Sequence, residues 1–224
     1  DGRCIRYVDW DAEATVCGTD WDGAFTKIQD GIDAAYEAAQ VLGSCEVWVA
    51  AGSYHSYEGD PIDSIHLRKD VQVYGGFAGV ETALEQRDIS ANETVLDGRD
   101  GGGSSQVSYH VVMGADKGAI DGFTITGGDA RGDSPHHRGG GLYSNSSHTT
   151  IRNCTFRGNR AIEGGAAFLY DSAPIVANCR FEQNAAEYGG AVFILNGEAE
   201  LTDVIIENNT ATSHGGGIYF QAVF

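Results

Sequence analysis

The sequence predicts an all-β chain wound as a right-handed parallel β-helix, about 25 residues to the coil, with an amphipathic capping helix at its N-terminal end. Three observations predict it. First, "NCTFRGNRAIEGGAAF" from Asn153 returns 25 residues later as "NCRFEQNAAEYGGAVF" from Asn178, and again, blurred, as "DVIIENNTATSHGGGIY" from Asp203. Second, the copies agree by column: Ile151, Val176 and Leu201; Cys154, Cys179 and Val204; Phe156, Phe181 and Ile206; Asn159, Asn184 and Asn209. Third, "TIRNCTF", "PIVANCRF" and "LTDVIIE" are short, rich in β-branched and aromatic residues, bounded by Gly or Asn, and lack a helical rhythm. A period of this length means a solenoid, a propeller or an array, and it is too short for a propeller blade.

Residues 1–45 read as a cap segment with one helix. Phe25, Ile28, Ile32, Ala35, Tyr36 and Ala39 fall on one face, with Asp22 placed to cap the start and Gly43 the end. A solenoid end exposes strand edges and apolar side chains, so it needs such a cover. Residues 46–224 then supply roughly seven coils of three strands each. Strand candidates are "EVWVAAGSY", "LRKDVQVYGGF", "TVLDG", "YHVVMG" and "IDGFTITGG". Between Phe123 and Cys154 the step widens to 31, so about six extra residues bulge out within "DARGDSPHHR". The glycine pairs opened by Gly139, Gly164, Gly189 and Gly215 mark a corner where a Cβ would clash. Tyr143, Phe168, Phe193 and Tyr219 follow them as an aromatic column, expected to stack inside the solenoid. Asn153, Asn178 and Asp203 form a polar column and Asn159, Asn184 and Asn209 an identical one; stacked asparagines are expected to form amide ladders at turns and to tolerate left-handed backbone at a corner. The chain stops mid-repeat at "GGGIYFQAVF", which reads as a piece of a longer protein.

The chain of 224 residues is 42% hydrophobic, enough for a core, and carries a formal charge of −18. That charge repels a phosphate backbone or an anionic membrane, so neither nucleic acid nor direct membrane insertion is expected. No apolar run reaches the ~20 residues of a membrane-spanning helix. Solubility is the plain reading of the acidity. Calcium is the one ion it would suit, yet no calcium-loop spacing occurs and no cofactor is expected. No cysteine pair has zinc-site spacing. Any two of Cys4, Cys17 and Cys45 have the makings of a bridge, as an export compartment would favour. Cys154 and Cys179 read as stacked buried hydrophobes.

The paired FxxN and GGA motifs carry a resemblance: Phe156 to Asn159 with Gly164-Gly165-Ala166, and Phe181 to Asn184 with Gly189-Gly190-Ala191. They resemble the repeats of chlamydial polymorphic outer-membrane proteins over roughly residues 139 to 220. Ile206 and Gly217 depart from the pattern in the last copy. The opening "RYVDWDAEATVCGTDWDGAFTKIQDGIDAA" with "VWVAAGSY" looks like the N-terminal cap and first coil of pectin-lyase-like surface proteins. The resemblance implies a secreted or cell-surface (outer-membrane) module and adhesion to a receptor or glycan.

Chemistry is sparse. The same fold carries polysaccharide lyases and glycoside hydrolases, so a fragment of a carbohydrate-active enzyme is the alternative. Such an enzyme needs clustered acids, and the best stacked charges, Arg157, Glu182 and Glu207, read as a surface ladder. "DGRD" (Asp97 to Asp100) reads as a turn. The binding candidates are "RGD" (Arg131, Gly132, Asp133) in the bulging loop and the adjacent His136 and His137, with His148 a further metal-ligand candidate. Asp9, Asp11, Asp20 and Asp22 crowd the leader and read as capping and solvating groups.

Overall fold

The computed structural model describes residues 3–13 and 17–222. Its strands stack in four sheets, and every strand-to-strand pairing among the named strands is parallel. The first sheet stacks seven strands: Ile5–Val8, Cys45–Ala50, Val71–Phe77, Ala119–Asp121, Thr150–Arg152, Ile175–Ala177 and Glu200–Thr202. The second stacks six: Gly52–His55, Thr94–Asp97, Thr124–Thr126, Thr155–Arg157, Arg180–Glu182 and Ile205–Glu207. The third stacks another six: Ile65–His66, Val112–Met113, Leu142–Asn145, Ala167–Tyr170, Val192–Leu195 and Ile218–Gln221. This is a right-handed parallel β-helix.

The sequence columns are the register. Tyr54, Leu96, Ile125, Phe156, Phe181 and Ile206 sit one over another, and so do Val47, Val73, Ile120, Ile151, Val176 and Leu201. Phe156 and Phe181 stack with centroids 4.9 Å apart and planes 6° from parallel. Each is almost wholly buried, which stabilises the coil by about 2–3 kcal/mol per ring. Cys154 and Cys179 are buried free thiols, as their column predicts.

Several expectations change. The coils number six from residue 45 onward rather than seven, because early coils spend residues on loops between their strands. A fourth, short sheet (Asp129–Ala130, Arg160–Ala161, Ala185–Tyr188, Thr210–His214) gives the later coils four strands, not three. Left-handed backbone and the amide ladder belong to different columns. Asn153, Asn178 and Asp203 turn one corner at φ 51°, 52° and 52°, where a short polar side chain tolerates that backbone. Asn159, Asn184 and Asn209 instead keep ordinary backbone and form the ladder. Asn159 N–H and Nδ2 donate to Asn184 Oδ1 (3.0 and 3.1 Å), and Asn184 N–H and Nδ2 donate to Asn209 Oδ1 (2.9 Å each). The glycine pair divides its work. Gly139, Gly164, Gly189 and Gly215 have φ between 63° and 70°. A Cβ on the next residue, Gly165, would lie 2.4 Å from Gly190 O and 2.7 Å from Ala185 O.

The helix Ile28–Leu42 buries Ile28, Gly31, Ile32, Ala35 and Ala39 against the first coils, and Gly43 ends it by donating to Ala39 O. Its N-cap is Lys27 with no side-chain hydrogen bond, so Asp22 does not cap it. Phe25 precedes the helix and bridges Val8, and Tyr36 is partly exposed. The leader also contributes a strand, since Ile5–Val8 pairs with Glu46–Val49. A Cys4–Cys45 disulfide, Cα–Cα 4.7 Å, ties the two, and Cys17 stays free and exposed. No helix among the described residues is long and apolar enough to cross a membrane.

Candidate functional site

Strand alternation decides which side of the third sheet each residue takes. Leu142, Ala167, Leu169, Val192 and Ile194 belong to the core. Tyr143, Phe168, Phe193 and Tyr219 lie between or beside them in sequence and therefore take the outer face. The aromatic column exists, in register and with centroids 5.8, 5.2 and 5.0 Å apart. It is not inside the solenoid, which corrects the expectation drawn from the sequence. Phe168 and Phe193 are nevertheless 0% and 2% exposed.

A second column flanks it. Arg138, Glu163, Tyr188 and His214 stack at the corner that precedes the glycine pair. The Arg138 guanidinium sits 4.8 Å over the Phe168 ring while its Nε donates to Glu163 at 2.7 Å. Tyr188 lies 5.8 Å from Tyr219. Aromatic and charged groups together make a seam that runs along the long axis of the solenoid. The four flanking residues recur at steps of 25, 25 and 26, yet they differ in chemistry, so the sequence gives no column signal for them.

The bulging loop folds onto the upper end of this seam. His110 stacks 5.3 Å from Tyr143, and His136 stacks on Tyr109 at 5.0 Å and 20°. His110 is buried, with Nδ1 3.0 Å from Gly139 O. Burial pushes its pKa down from 6.5 to about 4, against the hydrogen bond to Gly139 and with the help of His136 and His137 nearby. His136 Nδ1 is buried without a hydrogen-bond partner among the described residues.

The sequence candidates separate here. Arg131 is held by Asp129 through two hydrogen bonds of 2.5 Å. Gly132 is pressed against Tyr109, where a Cβ would lie 2.7 Å from the ring. Gly132 N–H donates to His136 O and His136 N–H to Asp133 O, so Arg131-Gly132-Asp133 is a closed turn with its arginine engaged. His136 and His137 do not converge: one stacks on Tyr109 and the other points Nε2 to Glu163 at 3.9 Å. His148 pairs with Asp116 at 2.9 Å. Among the described residues no group of three His, Cys, Asp or Glu is placed to hold a metal ion. The leader acids bend the chain locally, with Asp20 accepting from Gly23 N–H and Asp9 from Asp11 N–H.

On the second sheet's outer face the charges pair along the stack: Arg157 with Glu182 at 2.9 Å, and Arg180 with Glu182 at 3.8 Å and with Glu207. Asp97 is taken by Arg99 at 2.7 Å, and Asp121 by Arg87 at 2.8 Å. Carboxylates tied in this way are positioned as ladder members rather than as a free acid and base flanking a scissile bond.

Residues 83–222, more than half of the chain, match the family model described as "Right handed beta helix region". No curated protein matches the chain. Among solved structures it is similar to the crystal structure of PfbA, a surface adhesin of Streptococcus pneumoniae, at 17% identity and a TM-score of 0.37. That match covers 85% of this chain and 49% of PfbA, so the chain spans about half the length of that protein.

Proposed function

Starting from the fact that this chain belongs to the right-handed β-helix family, we propose that it is a non-catalytic secreted or cell-surface module that contacts a receptor or glycan. The loop 131–137 and the accessible flank of the seam, Arg138, Tyr188 and His214, form its contact surface. One observation carries the reading: the coils from Ala119 to Gln221 run with a single long insertion, and that insertion is docked beside the seam, with His136 and Gly132 on Tyr109 and His137 facing Glu163. The pairing of outer-face carboxylates with arginines supports it against a hydrolase or lyase. The FxxN and GGA motifs support outer-membrane display through their resemblance to the chlamydial repeats. The reading needs no cofactor, no nucleic acid and no membrane insertion by this segment.

Two measurements test it. Incubation with pectin, alginate or other uronate polymers, with and without calcium, is expected to release no unsaturated or reducing ends. Replacing residues 131–137 by one residue, which with Arg138 restores a two-residue corner like Ile162-Glu163, is expected to leave melting unchanged and to weaken adhesion to cultured cells at least tenfold. Robust polymer turnover, or undiminished adhesion by the shortened variant, overturns the proposal.

A further inference from the structure

A cavity of about 660 Å³ opens at the N-terminal end of the solenoid, between the start of the helix Ile28–Leu42 and the segment 53–66. It is far from loop 131–137 in sequence and shares no lining residue with it. Its size lies within the ~300–1,000 Å³ range of small-molecule sites.

Trp10 forms one wall. Its ring rests on the bare backbone of Gly52, whose φ is 152° and whose Cβ, if present, would lie 2.3 Å from the indole. The ring is thus seated on one side, yet the residue stays 55% exposed. An exposed tryptophan fixed in this way is an apolar platform held in place before any ligand arrives.

Much of the remaining lining is polar and held by hydrogen bonds and ion pairs. Lys27 bridges to Glu58 at 2.9 Å, and Asp63 Oδ2 accepts from the N–H groups of Glu58 and Asp60 at 3.0 and 2.8 Å. Gln29 Oε1 accepts from His66 N–H at 2.8 Å. Asp30 and the Ser53 hydroxyl, both exposed, line the cavity with no hydrogen-bond partner among the described residues, and Asp30 acts on Lys27 only through its charge. Burial lowers the His66 pKa below its ordinary 6.5, so at neutral pH the ring offers one donor and one acceptor. With Lys27 neutralised by Glu58, the remaining lining charge, Asp30 and Asp63, is negative.

From the seated Trp10 ring, the unpaired Asp30 and Ser53 and the acidic lining, the geometry points to this cavity as a binding site for a neutral saccharide. A pyranose has an apolar C–H face that fits the indole and hydroxyls that donate to Asp30 and exchange hydrogen bonds with Ser53 and His66. Uronates and phosphates are repelled by the two carboxylates. The inference is independent of surface display and of the seam.

Titration with neutral hexose and N-acetylhexosamine oligosaccharides, followed by tryptophan fluorescence and heat, tests it. Saturable binding with a blue-shifted emission is expected. Trp10→Ala is expected to weaken it at least tenfold, about 1.4 kcal/mol, and Asp30→Asn severalfold, both with wild-type melting. Trp10→Phe retains most of the affinity. The one-residue replacement of 131–137 leaves binding unchanged, so this site and the seam fail separately. The inference is overturned by absence of saturation with every neutral sugar, by Trp10→Ala binding as wild type, by preference for uronate oligosaccharides, or by preference for a lysine-rich peptide.

Discussion

Replacing Asn184 with alanine strips the amide ladder at its most buried shared rung. The side chain accepts from the Asn159 N–H and Asn159 Nδ2, and donates to Phe156 O at 2.9 Å and to Asn209 Oδ1 at 2.9 Å. Asn159 Nδ2 keeps Ile125 O, and Asn209 Oδ1 keeps the Asn184 N–H. The Asn159 main-chain N–H loses its acceptor at a residue that is 0% exposed. An orphaned buried donor costs about 1–3 kcal/mol, and each further lost bond about 1 kcal/mol net. The sum is about 4–6 kcal/mol, a large part of the ~5–15 kcal/mol that holds a domain folded. Asn209→Ala, in the more exposed last coil, is expected to cost only about 1–2 kcal/mol, because Asn209 is itself only partly buried and water enters the space its side chain leaves beside the Asn184 N–H. Equilibrium urea unfolding measures both, and hydrogen exchange at the Asn159 amide reports the rung itself. A loss under about 1 kcal/mol for Asn184→Ala, with that amide still protected, would refute the ladder as a source of stability.

His110 makes stability depend on pH. Its folded pKa is about 4 against 6.5 unfolded, so the fold favours the neutral ring. The stabilisation is complete above pH 6.5 and is lost as pH falls toward 4. It amounts to roughly 3 kcal/mol. Relative to His110→Gln, wild type is therefore expected to lose that margin over this window in thermal melts; a pH-independent difference contradicts the burial argument. The two kinds of glycine should respond oppositely. Gly165→Ala drives a methyl into Gly190 O and is expected to cost about 3 kcal/mol or more by denaturant titration. Gly158→Asn is expected to stay within about 0.5 kcal/mol, since Gly158 has φ 68°, its nearest contact is 3.8 Å away, and Asn208 already occupies the matching position at φ 55°. Equal losses at the two sites would contradict the division of labour.

The inner columns were legible in the sequence because in-register stacking turns a spatial contact into a fixed step along the chain. Phe156 over Phe181 and Asn159 over Asn184 needed no more than that. The side of the sheet was harder. Phe168 is as buried as any core residue, and nothing in its identity says that the cover is Arg138 and a neighbouring corner rather than the solenoid interior. The phase relative to Leu169 and Ala167 held the answer, since both neighbours are apolar and only one face can be inside. The sequence did not say which asparagine column would be left-handed, because two columns, Asn153 and Asn159, share a residue type but use different properties of it. The Trp10 cavity left almost no trace, since its walls come from three stretches that no repeat connects. The exposed tryptophan within "VDWDAE" was its one signal.

Where the extra residues fall has a consequence for what this scaffold tolerates. Ala130 and Ala161 are paired neighbours, and the surplus of the longer coil lies wholly between Ala130 and Gly139. The single additional residue of the last coil falls between Ala211 and Gly215, at the same corner. In the coils from Ala119 onward, length changes at that one vertex while the ladders above and below keep their alignment. The vertex is thus a grafting point, where foreign peptides of varied size should be carried on the flank without retuning the frame.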